Sequence, residues 1–237
     1  MIGKVNSFHS FSTNDGPGIR AVIFLQGCPL RCKCCHNPET WMADEGIEMG
    51  VEEVVEKIKK GISYYTKGGV TCSGGEPLMQ AEFVEEIFKA CHELSLHTTL
   101  DTSGCLLNDD VKKVLDQTDL VLLDFKMTTE EEYNAFARGS LNQTIQFLDY
   151  LNSINKPTWI RHVVIPGVND SQEQTKQLKK LLQPYSCIKQ VDFLPYKSLC
   201  ISKYDQLHLD FPYREIKDAT IEDIIKVQTW FNETVVK

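Results

Sequence analysis

Arg20-Ala-Val-Ile-Phe-Leu-Gln-Gly-Cys-Pro-Leu-Arg-Cys-Lys-Cys-Cys-His-Asn37 decides how the rest of the chain is read. Residues 20–25 form an apolar run of strand length, rich in residues that suit a pleated surface. Four cysteines, Cys28, Cys32, Cys34 and Cys35, follow it within eight positions. An apolar run leading straight into a polar motif recurs along the chain. Strands are expected at 69–72, 97–101, 120–124, 159–165 and 190–194, leading into GGEP, DTSG, DFK, PG and PYK. Between them, apolar residues return at helical spacing: Val51, Val54, Val55, Ile58 and Ile62, then Val111, Val114 and Leu115, then Ile145, Leu148 and Leu151, then Leu178, Leu181 and Leu182. A last helix carries Ile221, Ile224, Ile225 and Phe231, with Thr220 and Asp223 placed to cap its start. Strands alternating with helices imply an α/β chain with a mainly parallel sheet. Six units fit 237 residues, whereas a closed eight-unit barrel typically needs about 250. The expected fold is a partial (β/α)6 TIM-like barrel, a single domain over 1–237, with its chemistry at the carboxyl ends of the strands.

Composition narrows the function. Hydrophobic residues at 42% and charged residues at 24% describe a globular chain able to build a core. A net charge of -8 offers no basic field to nucleic-acid phosphates. The N-terminus lacks a signal-peptide layout, and no run approaches the 18 or more apolar residues of a membrane span, so a cytoplasmic location is expected. Nine cysteines in that compartment point to metal or redox chemistry rather than disulfides. Cys91 lies in line with Val84, Ile87, Phe88 and Leu94 on an apolar helix face and reads as a packing residue; Cys72, Cys105, Cys187 and Cys200 read the same way.

Cys28, Cys32 and Cys35 form C-x3-C-x2-C on a short loop. Thiolates are the usual ligands of iron–sulfur clusters, and three of them on a four-iron cluster leave one iron open to another ligand. A zinc site with His36 as fourth ligand, or a plain redox dithiol, are the alternatives. Structural zinc sites usually pair two separated ligand couples, and the chain has no second couple of that spacing.

These residues resemble the radical S-adenosylmethionine superfamily, and within it the activases of glycyl radical enzymes. Besides the cysteine loop, the resemblance rests on Asp15-Gly-Pro-Gly-Ile-Arg20, Ser73-Gly-Gly-Glu-Pro77, Leu100-Asp-Thr-Ser-Gly104, Leu123-Asp-Phe-Lys126, Trp159-Ile-Arg161 and Pro166-Gly167. It implies that Cys28, Cys32 and Cys35 hold a [4Fe-4S] cluster whose fourth iron is chelated by S-adenosylmethionine. One-electron cleavage of the cofactor to methionine and a 5′-deoxyadenosyl radical would follow. That radical would take a hydrogen from a glycine of a protein substrate, pyruvate formate-lyase, in anaerobic metabolism. A flavodoxin- or ferredoxin-type donor would supply the electron, with the chain acting as a monomer. No residue is expected to serve as a general acid or base.

The resemblance also distributes the other motifs. Cys34, Gly74, Gly75, Glu76, Asp124, Lys126, Arg161 and Lys197 would contact S-adenosylmethionine, with Glu76 accepting from its ammonium. Asp101, Thr102, Leu122 and Asp124 would hold a monovalent cation, Na or K. Asp15, Gly16, Pro17, Gly18, Arg20 and His36 would bind the glycine-containing loop of the partner. Cys34 stands where the superfamily usually carries an aromatic ring, and Lys197 where similar activases carry a histidine. Some relatives carry an inserted segment with eight further cysteines; none lies between Asn37 and Val51 here.

Overall fold

Eight strands in one open sheet organise the chain, in a computed structural model that describes residues 1–233. In chain order the strands are β1 (Ile2–Ser12), β2 (Arg20–Leu25), β3 (Ile47–Gly50), β4 (Gly69–Gly74), β5 (Thr98–Thr102), β6 (Leu120–Asp124), β7 (Thr158–Val164) and β8 (Ile188–Pro195). Their order across the sheet is β3-β1-β2-β4-β5-β6-β7-β8. The six from β2 to β8 pair in parallel, while β1 runs antiparallel to both β2 and β3. The sheet does not close: β3 lies at one edge and β8 at the other. The partial barrel expected from the sequence is the observed architecture. β1 and β3 escaped the reading because β1 mixes apolar with polar residues such as Asn6, Ser7, His9 and Ser10 and is only partly buried, and β3 is four residues long.

The parallel strands read as near-continuous apolar runs because both faces are covered. In β2 every residue but Phe24 is buried, and in β6 every residue but Asp124. The outer cover consists of α1 (Val51–Lys59), α2 (Ala81–Glu93), α3 (Asp109–Asp116), α4 (Glu130–Ala137), α5 (Leu141–Ser153), α6 (Gln172–Leu182), α7 (Ile201–Gln206) and α8 (Ile221–Asn232). Val54 and Ile58 of α1 and Phe83, Val84, Ile87, Phe88 and Cys91 of α2 join one core with Ile23, Val70 and Leu100 of the sheet. Cys91 is fully buried there, as its place on the apolar face implied. Thr220 and Asp223 form a reciprocal capping box at the start of α8. No helix among the described residues is long and apolar enough to cross a membrane.

Candidate functional site

A cavity of about 830 Å³ opens at the carboxyl ends of the parallel strands. The thiol loop after β2 forms one wall, with Cys28, Cys32, Cys34, Cys35 and His36 lining it. Ser73, Gly74 and Gly75 from the end of β4 come next, then Asp101 and Thr102 of β5. Leu122, Asp124 and Lys126 follow from β6 and its exit, and Arg161 from β7. Asp15 and Gly16 reach the same space from the β1–β2 connection. Fifteen of the residues proposed from sequence therefore share one cavity, although they come from six separate stretches of chain.

The thiol loop is held by its backbone. Gly27 N–H donates to Thr40 O at 2.7 Å and Cys28 N–H to Trp41 O at 3.3 Å, so the loop returns on itself. Arg31 N–H and Lys33 N–H donate to Ala137 O and Phe136 O at the end of α4, at 2.8 and 3.0 Å. Arg31 Nη1 donates to Cys28 O at 2.7 Å while its guanidinium lies 5.0 Å over the Trp41 ring. Burial pushes all four loop thiols up: Cys32 to about 11, and Cys28, Cys34 and Cys35 in the same direction. Unmetallated, they are therefore thiols at neutral pH, and binding a metal group through them must release protons.

Two ion pairs stand across the cavity from the loop. Arg161 Nη1 donates to Asp101 Oδ2 at 3.0 Å, and the same oxygen accepts from Ser73 Oγ at 2.9 Å. Burial raises the Asp101 carboxyl to about 6; Arg161 opposes the rise, and the charges of Asp124 and Asp15 add to it. The Asp101 charge in turn holds Arg161 firmly protonated against its burial. Lys126 Nζ donates to Asp124 Oδ2 at 2.7 Å. Burial works to deprotonate Lys126, but the Asp124 carboxylate beside it outweighs that and holds the ammonium protonated. Arg161 and Lys126 are each paired with a carboxylate, and each still presents further N–H donors to the cavity.

Several residues proposed from sequence are placed otherwise. Glu76 is 1% exposed and does not line the cavity. Its Oε1 accepts from Leu78 N–H and Thr102 Oγ1, and its Oε2 from Ser103 N–H and Ser103 Oγ. Four donors saturate the carboxylate, so Glu76 ties the β4 exit to the β5 exit instead of presenting an acceptor to an ammonium group. Gly74 and Gly75 do line the cavity, but their lack of side chains serves the protein's own backbone first. A Cβ at Gly74 would meet Leu25 N at 2.2 Å, and one at Gly75 would meet Gly27 O at 2.2 Å. The N–H groups of Gly75 and Glu76 are spent on Leu25 O and Gly27 O. Lys197 turns away from the cavity, its Nζ donating to Ala219 O at 3.1 Å, while its carbonyl contacts His36 Nε2 at 2.8 Å.

Arg20 is the largest departure. It is fully buried inside the barrel and cannot touch a partner. Its Nε donates to Thr71 Oγ1, its Nη1 to Pro17 O and its Nη2 to Val70 O, at 2.7, 3.1 and 2.7 Å. Thr71 Oγ1 in turn donates to Asp15 O at 2.7 Å. Arg20 therefore pins the Asp15–Gly18 loop from beneath, which leaves Asp15 and Gly16 at the cavity and Pro17 and Gly18 outside it. Sequence reasoning also missed the lining residues Trp41, Gln190 and Asp192. Ser73, Ser103 and Trp159 stand within or at the edge of motifs quoted above but were assigned no role. For β8 the period-2 alternation places Gln190 and Asp192 on one face, a signal that was there to be used.

A family model for the radical SAM superfamily matches residues 22–178. The chain is 38% identical over 235 residues to the pyruvate formate-lyase-activating enzyme of Clostridium pasteurianum, covering 98% of both. It is 35% identical over 235 residues to the pyruvate formate-lyase 1-activating enzyme of Escherichia coli, covering 96% of this chain and 94% of that protein. The chain belongs to the radical S-adenosylmethionine superfamily, among the pyruvate formate-lyase-activating enzymes. Solved structures agree on the fold. A domain of a pyruvate formate-lyase-activating enzyme from Bacteroides vulgatus superimposes with TM-score 0.57 at 22% identity, over 69% of this chain and 92% of that one. Streptococcus suis SuiB bound to its precursor peptide SuiA superimposes with TM-score 0.69 at 17% identity, over 88% and 44%.

Membership in this superfamily implies a [4Fe-4S] cluster and S-adenosylmethionine. The residues fit them. Three half-buried thiols on one loop face a cavity large enough for a cluster and a nucleoside cofactor. Among the described residues no three Cys, His, Asp or Glu side chains converge on a single-ion site, which is what the zinc alternative requires.

Proposed function

We propose that this enzyme activates pyruvate formate-lyase by removing a hydrogen atom from one of its glycines, leaving a glycyl radical. The observation that carries the reading is that Cys28, Cys32 and Cys35 share one cavity with the polar ends of β4 to β7. Cys28, Cys32 and Cys35 would hold the [4Fe-4S] cluster. When bound, the cluster and S-adenosylmethionine supply one-electron chemistry able to take hydrogen from an unactivated C–H bond.

The chain's own residues bind and orient. The carbonyls of Gly74 and Gly75, residues that line the cavity, are the proposed acceptors for an amino group, the Gly75 amide being spent on Leu25 O. Lys126 and Arg161 offer the N–H donors not used on Asp124 and Asp101 to a carboxylate. Asp101 and Asp124, with the carbonyls of Thr102 and Leu122, form the candidate seat for a monovalent cation, which would take over oxygens now held by Arg161 and Ser73 and by Lys126. Asp15, Gly16 and His36 reach the cavity from the side and are the proposed contacts for the partner's glycine loop. An external flavodoxin- or ferredoxin-type donor is the proposed source of the electron.

The test is anaerobic reconstitution with iron and sulfide, reduction, addition of S-adenosylmethionine, and electron spin resonance with and without pyruvate formate-lyase. A glycine doublet on the partner is the expected result. Cofactor cleavage with no partner radical would move the reading to another protein or small-molecule substrate. No cleavage at all would end the radical reading.

A further inference from the structure

β7 presents its side chains alternately to the cavity and to the helices outside, so two neighbours on it bear on the same turn from opposite sides. Arg161 faces the cavity. His162, the next residue, is buried on the other face, where its ring meets Phe193 edge-on with centroids 6.1 Å apart. Pairing of β6 with β7 ends at Asp124 opposite Arg161, and Phe125 N–H donates to Arg161 O at 2.9 Å as the chain leaves the sheet. The Phe125 carbonyl meets His162 Nδ1 at 2.6 Å. That carbonyl lies in the peptide plane joining Phe125 to Lys126, so holding it sets the direction in which the Lys126 side chain starts. Lys126 turns back into the cavity and reaches Asp124.

The hydrogen bonds around the His162 ring fix where its hydrogen sits. A carbonyl only accepts, so Nδ1 carries the hydrogen. Nε2 lies 3.2 Å from Asn169 Nδ2. Two other groups orient the Asn169 amide: its Oδ1 accepts from Ile165 N–H at 2.7 Å, and its Nδ2 donates to Val163 O at 2.8 Å. The second N–H of that Nδ2 is left for Nε2, which must be the bare, accepting nitrogen. A hydrogen on Nε2 would set donor against donor. Burial, which disfavours the charged ring, acts in the same direction. His162, Asn169 and Phe125 are all buried and none of them lines the cavity, so this chain of bonds holds the site from behind.

We propose that His162, as the neutral Nδ1–H tautomer, is a positioning residue: it anchors the Phe125 carbonyl and so holds Lys126 and Asp124 in place to receive S-adenosylmethionine. The inference rests on the reading of Lys126 as a contact of the cofactor carboxylate. The competing role is packing against Phe193, which asks only for the bulk of the ring.

Two variants separate these roles. His162→Asn keeps an N–H donor where Nδ1 stands but loses bulk, whereas His162→Leu keeps most of the bulk and has no donor. In the unloaded native chain, nitrogen NMR signals of the His162 ring should show hydrogen on Nδ1 and none on Nε2 at neutral pH. Amide hydrogen exchange over residues 124–128 should quicken in His162→Leu and stay near native in His162→Asn. In the reconstituted, unreduced protein, calorimetric binding of S-adenosylmethionine should weaken about tenfold in His162→Leu, the usual loss when a residue that orients a ligand-holding group is removed. It should stay close to native in His162→Asn. Urea unfolding should show both variants destabilised, His162→Leu through the unpaired carbonyl and His162→Asn through the void it leaves. Affinity and exchange that follow stability instead of the donor would assign His162 to packing and overturn the inference, as would hydrogen on Nε2. A native protein that bound no cofactor would sink the cofactor reading, while tautomer and exchange, measured without cofactor, would still decide the anchoring of Phe125.

Discussion

Cys34 and Cys35 are adjacent, both half-buried, and both line the cavity, so position alone does not separate ligand from bystander. The spacing C-x3-C-x2-C selects Cys35. Cys34→Ala should therefore retain iron after reconstitution while Cys35→Ala loses it, measured as iron and sulfide per chain; the reverse result would exchange their roles. Arg161 permits a second prediction. Arg161→Met removes the cation from a buried pair, so that Asp101 must either stay charged without its partner or take up a proton, a change that typically destabilises by about 3 kcal/mol. Urea unfolding of the unloaded chain should show this at neutral pH. An unchanged midpoint would mean that the pair contributes to binding alone.

Between elements, single side chains carry the long connections. Glu76 joins the β4 exit to the β5 exit with three hydrogen bonds, and Asn169 ties the segment after β7 back onto His162, Val163 and Ile165. Asp119 does the same at the opposite end of the sheet, accepting from Thr98 N–H at 2.8 Å and contacting His92 of α2 at 3.2 Å. Partial burial works against its charge, but the Thr98 amide and His92 outweigh that and hold the carboxyl below its usual range. A carboxyl lowered on folding adds stability above its unfolded pKa and loses it as pH falls through the folded value. Asp119→Asn keeps an acceptor for Thr98 N–H but cannot titrate. The stability gap between native and Asp119→Asn should therefore be present at pH 7 and shrink below about pH 4. Chemical denaturation across that range checks it, and a gap independent of pH would remove the carboxylate from the account.

For the molecule as a whole, the open sheet leaves one cavity reached from two directions: the thiol loop on one side and the Asp15–Gly16 turn on the other. If that turn receives a partner's glycine loop, then Asp15→Asn should lower the glycyl radical yield on pyruvate formate-lyase while leaving partner-free S-adenosylmethionine cleavage near the native rate. Equal losses in both assays would place Asp15 at the cofactor instead. Arg20 lies beneath this turn with no carboxylate among its hydrogen-bond partners, and burial pulls its pKa down to about 10. A charge buried that deeply is retained because three backbone carbonyls and a threonine hydroxyl receive its donors.

The six parallel strands, the partial barrel and the cysteine spacing were legible in the amino-acid order, because runs of apolar residues and fixed intervals are local properties of a chain. So was the capping box at Thr220 and Asp223, four residues in one turn. The directions of Glu76, Arg20 and Lys197 were not. Each was read from its residue type and its neighbours in a motif, and each is turned by a partner more than 20 residues distant: Ser103, Val70 and Ala219. The seating of Tyr204 against Trp41 depends on contacts more than 160 residues apart. Whether a charged group faces a ligand or the protein's own backbone is decided by which donors and acceptors the fold brings within about 3 Å, and burial makes that choice binding.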